Sequence, residues 1–173
     1  MSPRRGRSEQ RRMDRLNRPP PGEPFLWFTR EMMTSAAWRG MSEAAWWLLC
    51  RIGVEHMDHA GTENGNLPVT YDDFERYGVR RKSVKRAVQE LVALGWIDVV
   101  SPGRAGQGIG RCPARYALTW LPTVDGAPGT NRWKAIKSRE DAEAALKFAR
   151  AKRAGPRSRQ AATTAPQPLA RAS

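Results

Sequence analysis

The stretch from Thr70 to Leu94, TYDDFERYGVRRKSVKRAVQELVAL, has the pattern of two helices joined by a tight turn. Thr70 is a suitable N-cap for the first helix, and Asp73 three residues later completes a capping-box pattern. Gly78 ends that helix, because glycine readily adopts the left-handed backbone found at many helix exits. The second helix has apolar residues at helical spacing, namely Val84, Ala87, Val88, Leu91 and Val92. One of its sides can therefore pack against a core.

The opposite side of the second helix is basic at its start. It carries Arg80, Arg81, Lys82, Ser83, Lys85 and Arg86. A helix with an apolar back and a cationic front fits the major groove of DNA, where base edges present donors and acceptors between the phosphates. A solvated surface helix that happens to be basic would have the same pattern, so the helix alone leaves both interpretations open.

The residues after this helix predict a β-hairpin. Gly95 ends the helix, and Trp96–Val100 has the β-branched and aromatic content of a strand. The glycine-rich loop Ser101–Pro113 separates it from a second strand pattern over Arg115–Leu121, in which polar and apolar residues alternate. The predicted order is helix, turn, helix, strand, glycine-rich loop, strand.

This order, together with the phrase GVRRKSVKRAVQELVALGWIDV from Gly78 to Val99, resembles the winged helix-turn-helix DNA-binding proteins. Within that group it is similar to GntR-type and MarR-type regulators and to replication initiators of plasmids and phages. The resemblance spans residues 42–121 and implies a mainly α fold with a small β-hairpin wing, flanked by basic disordered tails. It also implies that Leu67–Val69 is a short strand pairing with the wing. The segment HAGTENGNLPVTYDDFERYG resembles uncharacterised proteobacterial winged-helix proteins of mobile elements, a similarity that names no activity.

The glycine-rich loop fits the tip of such a wing better than it fits a phosphate-binding loop. No Gly-Lys-Ser/Thr sequence follows its glycines, and no helix pattern begins after them. Arg104, Gln107 and Arg111 are expected near the tip, where they can reach a DNA backbone or a minor groove.

The charge of the chain points to a polyanionic partner. It has 30 Lys and Arg against 17 Asp and Glu, a formal net charge of +13. Such a surplus favours nucleic acid. A membrane is not expected as a partner, because no apolar run approaches the ~20 residues that cross a bilayer. No secretory signal pattern is present, and Cys50 and Cys112 are expected to be reduced thiols in the cytoplasm, where the protein would associate with the nucleoid.

The terminal segments are predicted to be basic and largely disordered. Residues 1–24 form an arginine-rich arm expected to lie along phosphates or in a minor groove, or to act only as a solubilising tail. Its candidate DNA contacts are Arg4, Arg5, Arg7, Arg11 and Arg12. Residues 25–121 would form the DNA-binding domain with an N-terminal extension, and 122–137 a linker in which Trp133 and Ile136 can pack onto the domain.

A last helix is predicted over residues 138–153, followed by a disordered tail over 154–173. Ser138 caps the helix, and acidic residues occupy its first turn. Its apolar stripe is thin and consists of Ala142, Ala145, Leu146 and Ala149. The stripe can dock on the domain or meet a second copy, so a homodimer through this helix is one hypothesis.

A further helix is predicted from Ser42, a good N-cap, to about Met57, and it is followed by a histidine-rich loop. His56, Asp58 and His59 invite a metal hypothesis, but their spacing is poor for helical ligands and no third and fourth ligands are nearby. No metal and no cofactor are therefore expected.

These patterns favour sequence-specific binding of double-stranded DNA, as a transcription regulator or a replication-initiator-like protein of a mobile element. Arg81, Lys82, Ser83 and Lys85 would meet base edges, with Arg80 and Arg86 nearer phosphates. No nucleophile, base and acid spacing appears, so an enzyme is not expected. The alternative is an RNA-binding or protein-interaction module that uses the same fold.

Overall fold

The computed structural model describes residues 7–104 and 112–153. Over these ranges the fold is mixed, with α-helices and a small three-stranded antiparallel sheet. The helices are α1 (Arg7–Leu16), α2 (Arg30–Thr34), α3 (Ala36–Arg39), α4 (Glu43–Asp58), α5 (Tyr71–Arg76), α6 (Arg81–Ala93) and α7 (Arg139–Arg153), with a 3-10 helix over Arg132–Ala135. The strands are β1 (Leu67–Val69), β2 (Ile97–Ser101) and β3 (Ala114–Leu118).

The predicted start and end of α5 are confirmed. The Thr70 backbone N–H donates to Asp73 Oδ2 at 2.8 Å, and the Asp73 N–H donates to Thr70 Oγ1 at 3.2 Å, which is a complete capping box. Gly78 follows with φ +104°, a conformation that side chains disfavour. The chain then enters α6 without a side-chain cap.

The sheet has the order β1-β3-β2, with both pairs antiparallel. Leu67 lies opposite Tyr116 and Val69 opposite Ala114, so the short strand pairs with the second hairpin strand as predicted. The strand predicted over Arg115–Leu121 ends earlier, at Leu118. The reason is a turn at Thr119, whose hydroxyl donates to the carbonyl of Gly95 at 2.7 Å.

Aromatic side chains from distant parts of the chain form the centre of the core. The Trp96 ring stacks on Trp133 with centroids 5.4 Å apart, and it meets Trp38 and Trp120 edge-on at 5.5 and 5.9 Å. Phe28 lies 4.9 Å from Trp38, which confirms that apolar residues ahead of α4 pack against the core. These contacts place the predicted linker segment around Trp133 on the domain itself.

Asn64 is completely buried and holds the end of β3, a role that its sequence position next to a glycine did not indicate. Its Nδ2 donates to the carbonyl oxygens of Leu118, Leu121 and Pro122 at 3.0–3.1 Å. Its Oδ1 accepts the N–H of Leu118 at 2.7 Å. One side chain thus satisfies four backbone groups where the sheet turns back toward the helices.

The N-terminal arm differs from its sequence-based interpretation as a disordered segment. The arm contains the helix α1, with Glu9 in its first turn and Arg15 in its last, an arrangement that suits the helix dipole. Residues 1–6 and 154–173, predicted to be disordered, lie outside the described residues.

The predicted last helix is present as α7, with the Ser138 hydroxyl accepting the N–H of Asp141 at 3.1 Å. The stripe on which the dimer hypothesis rested faces the protein's own domain. Ala142 is buried between α3 and α6, where its Cβ lies 3.2 Å from the point that a Cβ on Gly40 would occupy. The stripe thus docks on the domain in part, since Ala142 is buried while Ala145, Leu146 and Ala149 are half-buried, and the homodimer stays a hypothesis.

Candidate nucleic-acid interface

The two sides of α6 are separated as the sequence predicted. Val84, Ala87 and Leu91 are buried against the core. The exposed side chains at its start are Arg80, Arg81, Lys82, Lys85 and Arg86, and Ser83 is half-buried between the two sides. The helix therefore presents a compact group of cations to solvent.

Long-range contacts fix the orientation of α6. Glu90, buried on this helix, accepts a hydrogen bond from the backbone N–H of Ser42, the N-cap of α4. Where α6 ends and β2 begins, Arg132 Nη2 donates to the carbonyls of Val92 and Ile97 at 3.2 Å. The same atom lies 2.9 Å from Asp98 Oδ1. These contacts hold the helix against α4 and the start of the hairpin.

Arg81 is engaged by carboxylates of α5. Its Nη1 lies 2.5 Å from Asp72 Oδ1 and 3.1 Å from Glu75 Oε2, and its guanidinium carbon is 6.0 Å from the centroid of the Tyr71 ring. The hydrogen bonds to Asp72 and Glu75 raise the pKa of Arg81, because they stabilise its charged form. Arg81 therefore joins the two helices, whereas the sequence-based interpretation assigned it to a base edge.

The other cations of this group have no carboxylate partner among the described residues. Within the part of the chain that the structure describes, no ion pair forms at Arg80, Lys82, Lys85 or Arg86. Lys82 is followed by Lys85 and Arg86 at three and four residues, so the three share one face of the helix.

The base of the hairpin continues this surface. Beyond β2 and β3 the backbone pairing extends to a bridge, in which the Arg104 N–H donates to the Cys112 carbonyl at 2.9 Å and the reverse bond is 3.3 Å. The Arg104 and Cys112 side chains are both exposed. Gln107 and Arg111, predicted near the tip, lie outside the described residues.

A groove of about 680 Å³ separates α5 and α6 from the base of the hairpin. Tyr71 and Lys85 line its helical wall, and Val99, Arg104 and Cys112 line the opposite wall. Sequence reasoning missed this groove, because Tyr71 and Cys112 come together only when the hairpin folds back beside α5. Val99 of β2 is an apolar side chain exposed outside the core, and the sequence alone does not indicate its exposure.

The candidate DNA contacts in the N-terminal arm lie partly on α1. Arg11 and Arg12 are exposed on α1, and Arg7 begins that helix. Arg4 and Arg5 lie outside the described residues. The structure thus adds a helical framework to part of the arm, along which its arginines are displayed.

The two histidines of the metal hypothesis lie at the end of α4, His56 in its last turn and His59 as its C-cap. His56 is buried, and both burial and the neighbouring His59 lower its pKa. His59 Nε2 lies 3.3 Å from Glu55 Oε1. Among residues 7–104 and 112–153, no three His, Cys, Asp or Glu side chains are grouped to hold a metal ion.

Comparison of the chain with protein-family models, with curated proteins and with solved structures gave no match. Over the described residues, every helix is too short or too polar to cross a lipid bilayer.

Proposed function

We propose that this protein is a winged helix-turn-helix protein that binds double-stranded DNA, with α6 in the major groove and the β2–β3 hairpin as the wing. The observation that carries the proposal is the group of exposed cations at the start of α6, directly opposite its buried face. An α-helix fits the width of the major groove, and cations at its start would meet phosphates and base edges together.

The neighbouring elements support this arrangement. α5 ends in a tight turn at Gly78 and packs on α6, and the hairpin follows α6 directly. β1 adds a third strand beside β3. In a helix-turn-helix with an adjacent hairpin, α6 and the wing would reach adjacent grooves of the duplex.

Affinity and specificity are assigned to different side chains. The net charge of +13 and the exposed arginines of α1 would supply affinity by releasing counterions from the duplex. Lys82, Ser83 and Lys85 would supply specificity at base edges, with Arg80 and Arg86 at phosphates. Arg81 holds α5 against α6 through its ion pairs with Asp72 and Glu75. It would contact a base edge only if those ion pairs were broken.

The biological role that fits is regulation of transcription or initiation of replication for a mobile element, carried out by binding rather than by catalysis. The protein would act in the cytoplasm on the nucleoid. The resemblance of the α5, α6 and β2 sequence to regulators and initiators supports these two roles equally.

Selection of bound duplexes from a random pool tests the proposal. We expect enrichment of a defined sequence, and we expect that a structured RNA hairpin of equal length competes poorly with the enriched duplex. A pool that yields no enriched sequence, or an RNA hairpin that displaces the duplex at equal concentration, would favour the RNA-binding alternative.

A further inference from the structure

We propose that the groove between α5, α6 and the base of the hairpin binds unpaired nucleotides, an inference that rests on the proposed nucleic-acid binding by this face. Its volume of about 680 Å³ lies within the ~300–1,000 Å³ typical of sites for small ligands. A duplex cannot enter a space of this size, whereas one or a few splayed-out nucleotides can.

The floor of the groove is apolar and partly aromatic. Tyr71, the first residue of α5, is 38% exposed and lines the groove next to Val88 of α6. Val99 on β2 is also 38% exposed and faces the same space. Aromatic and apolar side chains at a nucleic-acid surface bind the flat faces of bases, which only unpaired bases offer.

The rim of the groove carries the charge that phosphates require. Lys85 and Arg104 lie on opposite walls, and Arg81 lies at the α5 end. Asp72, the one carboxylate residue among the described lining, is bonded to Arg81. A cationic rim around an apolar floor is complementary to a single strand, with its backbone at the rim and its bases inside.

The lining of the groove includes two tyrosines, one exposed and one buried. Tyr116 of β3 lines the groove with Tyr71, and its pKa is raised by burial and by the proximity of Tyr71. The Tyr116 phenol therefore stays neutral at physiological pH. Because Tyr116 is buried, the hydroxyl that can donate or accept a hydrogen bond at a base edge is that of the exposed Tyr71.

Comparison of two single strands tests the inference: a 12-nucleotide oligothymidylate and a strand of the same length with abasic sites throughout. The full chain should bind the oligothymidylate more tightly, because the abasic strand keeps the phosphates and lacks the bases. Tyr71→Ala should weaken oligothymidylate binding by roughly 5- to 150-fold, the ratio that corresponds to losing one base–aromatic stack. Binding of the abasic strand should stay unchanged.

Tyr77→Ala is the matched control, because Tyr77 follows the same helix and contacts Trp47, 6.1 Å away between ring centroids, outside the groove. It should leave both affinities as in the wild type. Equal binding of the two strands by the wild type, or equal losses in the Tyr71 and Tyr77 variants, would overturn the inference.

The native thiols provide a second readout. Cys112 lines the groove and is exposed, whereas Cys50 on α4 is half-buried and serves as an internal reference. Saturating oligothymidylate should slow maleimide labelling of Cys112 and leave Cys50 unaffected, and the abasic strand should protect Cys112 less. Unchanged labelling of Cys112 would contradict the inference. If the selected duplex still binds in that case, only the groove assignment fails; if neither nucleic acid binds, the proposed function fails as well.

Discussion

Replacing Asn64 with alanine should destabilise the domain more than any exposed polar substitution. The change leaves the N–H of Leu118 without its 2.7 Å acceptor and removes the donor shared by three carbonyl oxygens. A buried polar group left unpaired costs ~1–3 kcal/mol, and carbonyls near the surface at Pro122 can turn to water. We therefore expect a loss of about 3 kcal/mol in the free energy of unfolding.

Urea denaturation followed by tryptophan fluorescence measures this loss. With a slope of ~1–3 kcal/mol per molar urea for a small protein, the midpoint should fall by roughly 1–3 M. Asn66→Ala is the control, since Asn66 is only half-buried and bonds to the side chains of Glu63 and Arg115. A loss below about 0.5 kcal/mol for Asn64→Ala would refute the claim that this side chain holds the end of β3.

Three further predictions concern stability and salt. The pKa of His56 is lowered by burial and, to a smaller extent, by His59, so the unfolded chain binds this proton more tightly and stability should fall as the pH drops below ~6.5. In urea titrations at pH 8 and 5.5, His56→Gln should flatten that dependence, and His59→Gln should flatten it less, because burial of His56 remains. Gly95→Ala should lower the free energy of unfolding by roughly 2–4 kcal/mol in thermal denaturation, because the new Cβ would lie 2.6 Å from the backbone of Arg132 and the residue has φ +79°. Gly78→Ala should lower it by only ~1–2 kcal/mol, because Gly78 has φ +104° but open space around its Cβ position. If DNA binding neutralises ~6 phosphates, the logarithm of the binding constant plotted against the logarithm of salt concentration should have a slope near −5. Deleting residues 1–20 should make the slope shallower and leave the preferred DNA sequence unchanged. A changed preference would show that the arm contacts bases.

Local signals explain why much of the fold was predictable. The capping box at Thr70, the cap at Ser42 and the apolar spacing in α6 each act within a few residues, so their physical effect can be derived from the sequence alone. The exposure of Lys82, Lys85 and Arg86 follows from the same helical spacing.

The features that were missed depend on contacts between distant parts of the chain. Asn64 bonds to Leu118 across 54 residues, and no local pattern indicates that distance. Arg81 meets Asp72 only because the turn at Gly78 folds α5 against α6. The groove exists for the same reason, since its walls come from α5, α6 and the hairpin, and their separation is set by the packing of the whole domain.

The ratio of affinities for a selected duplex and a scrambled duplex tests the central claim most directly. Lys82→Ala combined with Lys85→Ala removes two exposed cations from the start of α6 without touching its buried face. Lys134→Ala combined with Lys137→Ala removes the same charge from two exposed positions, one in the 3-10 helix and one just after it. If α6 reads the bases, the first variant should lose the preference by at least about tenfold while still binding both duplexes, and the second should keep it. A first variant that folds normally and prefers the selected duplex as strongly as the wild type would contradict the account.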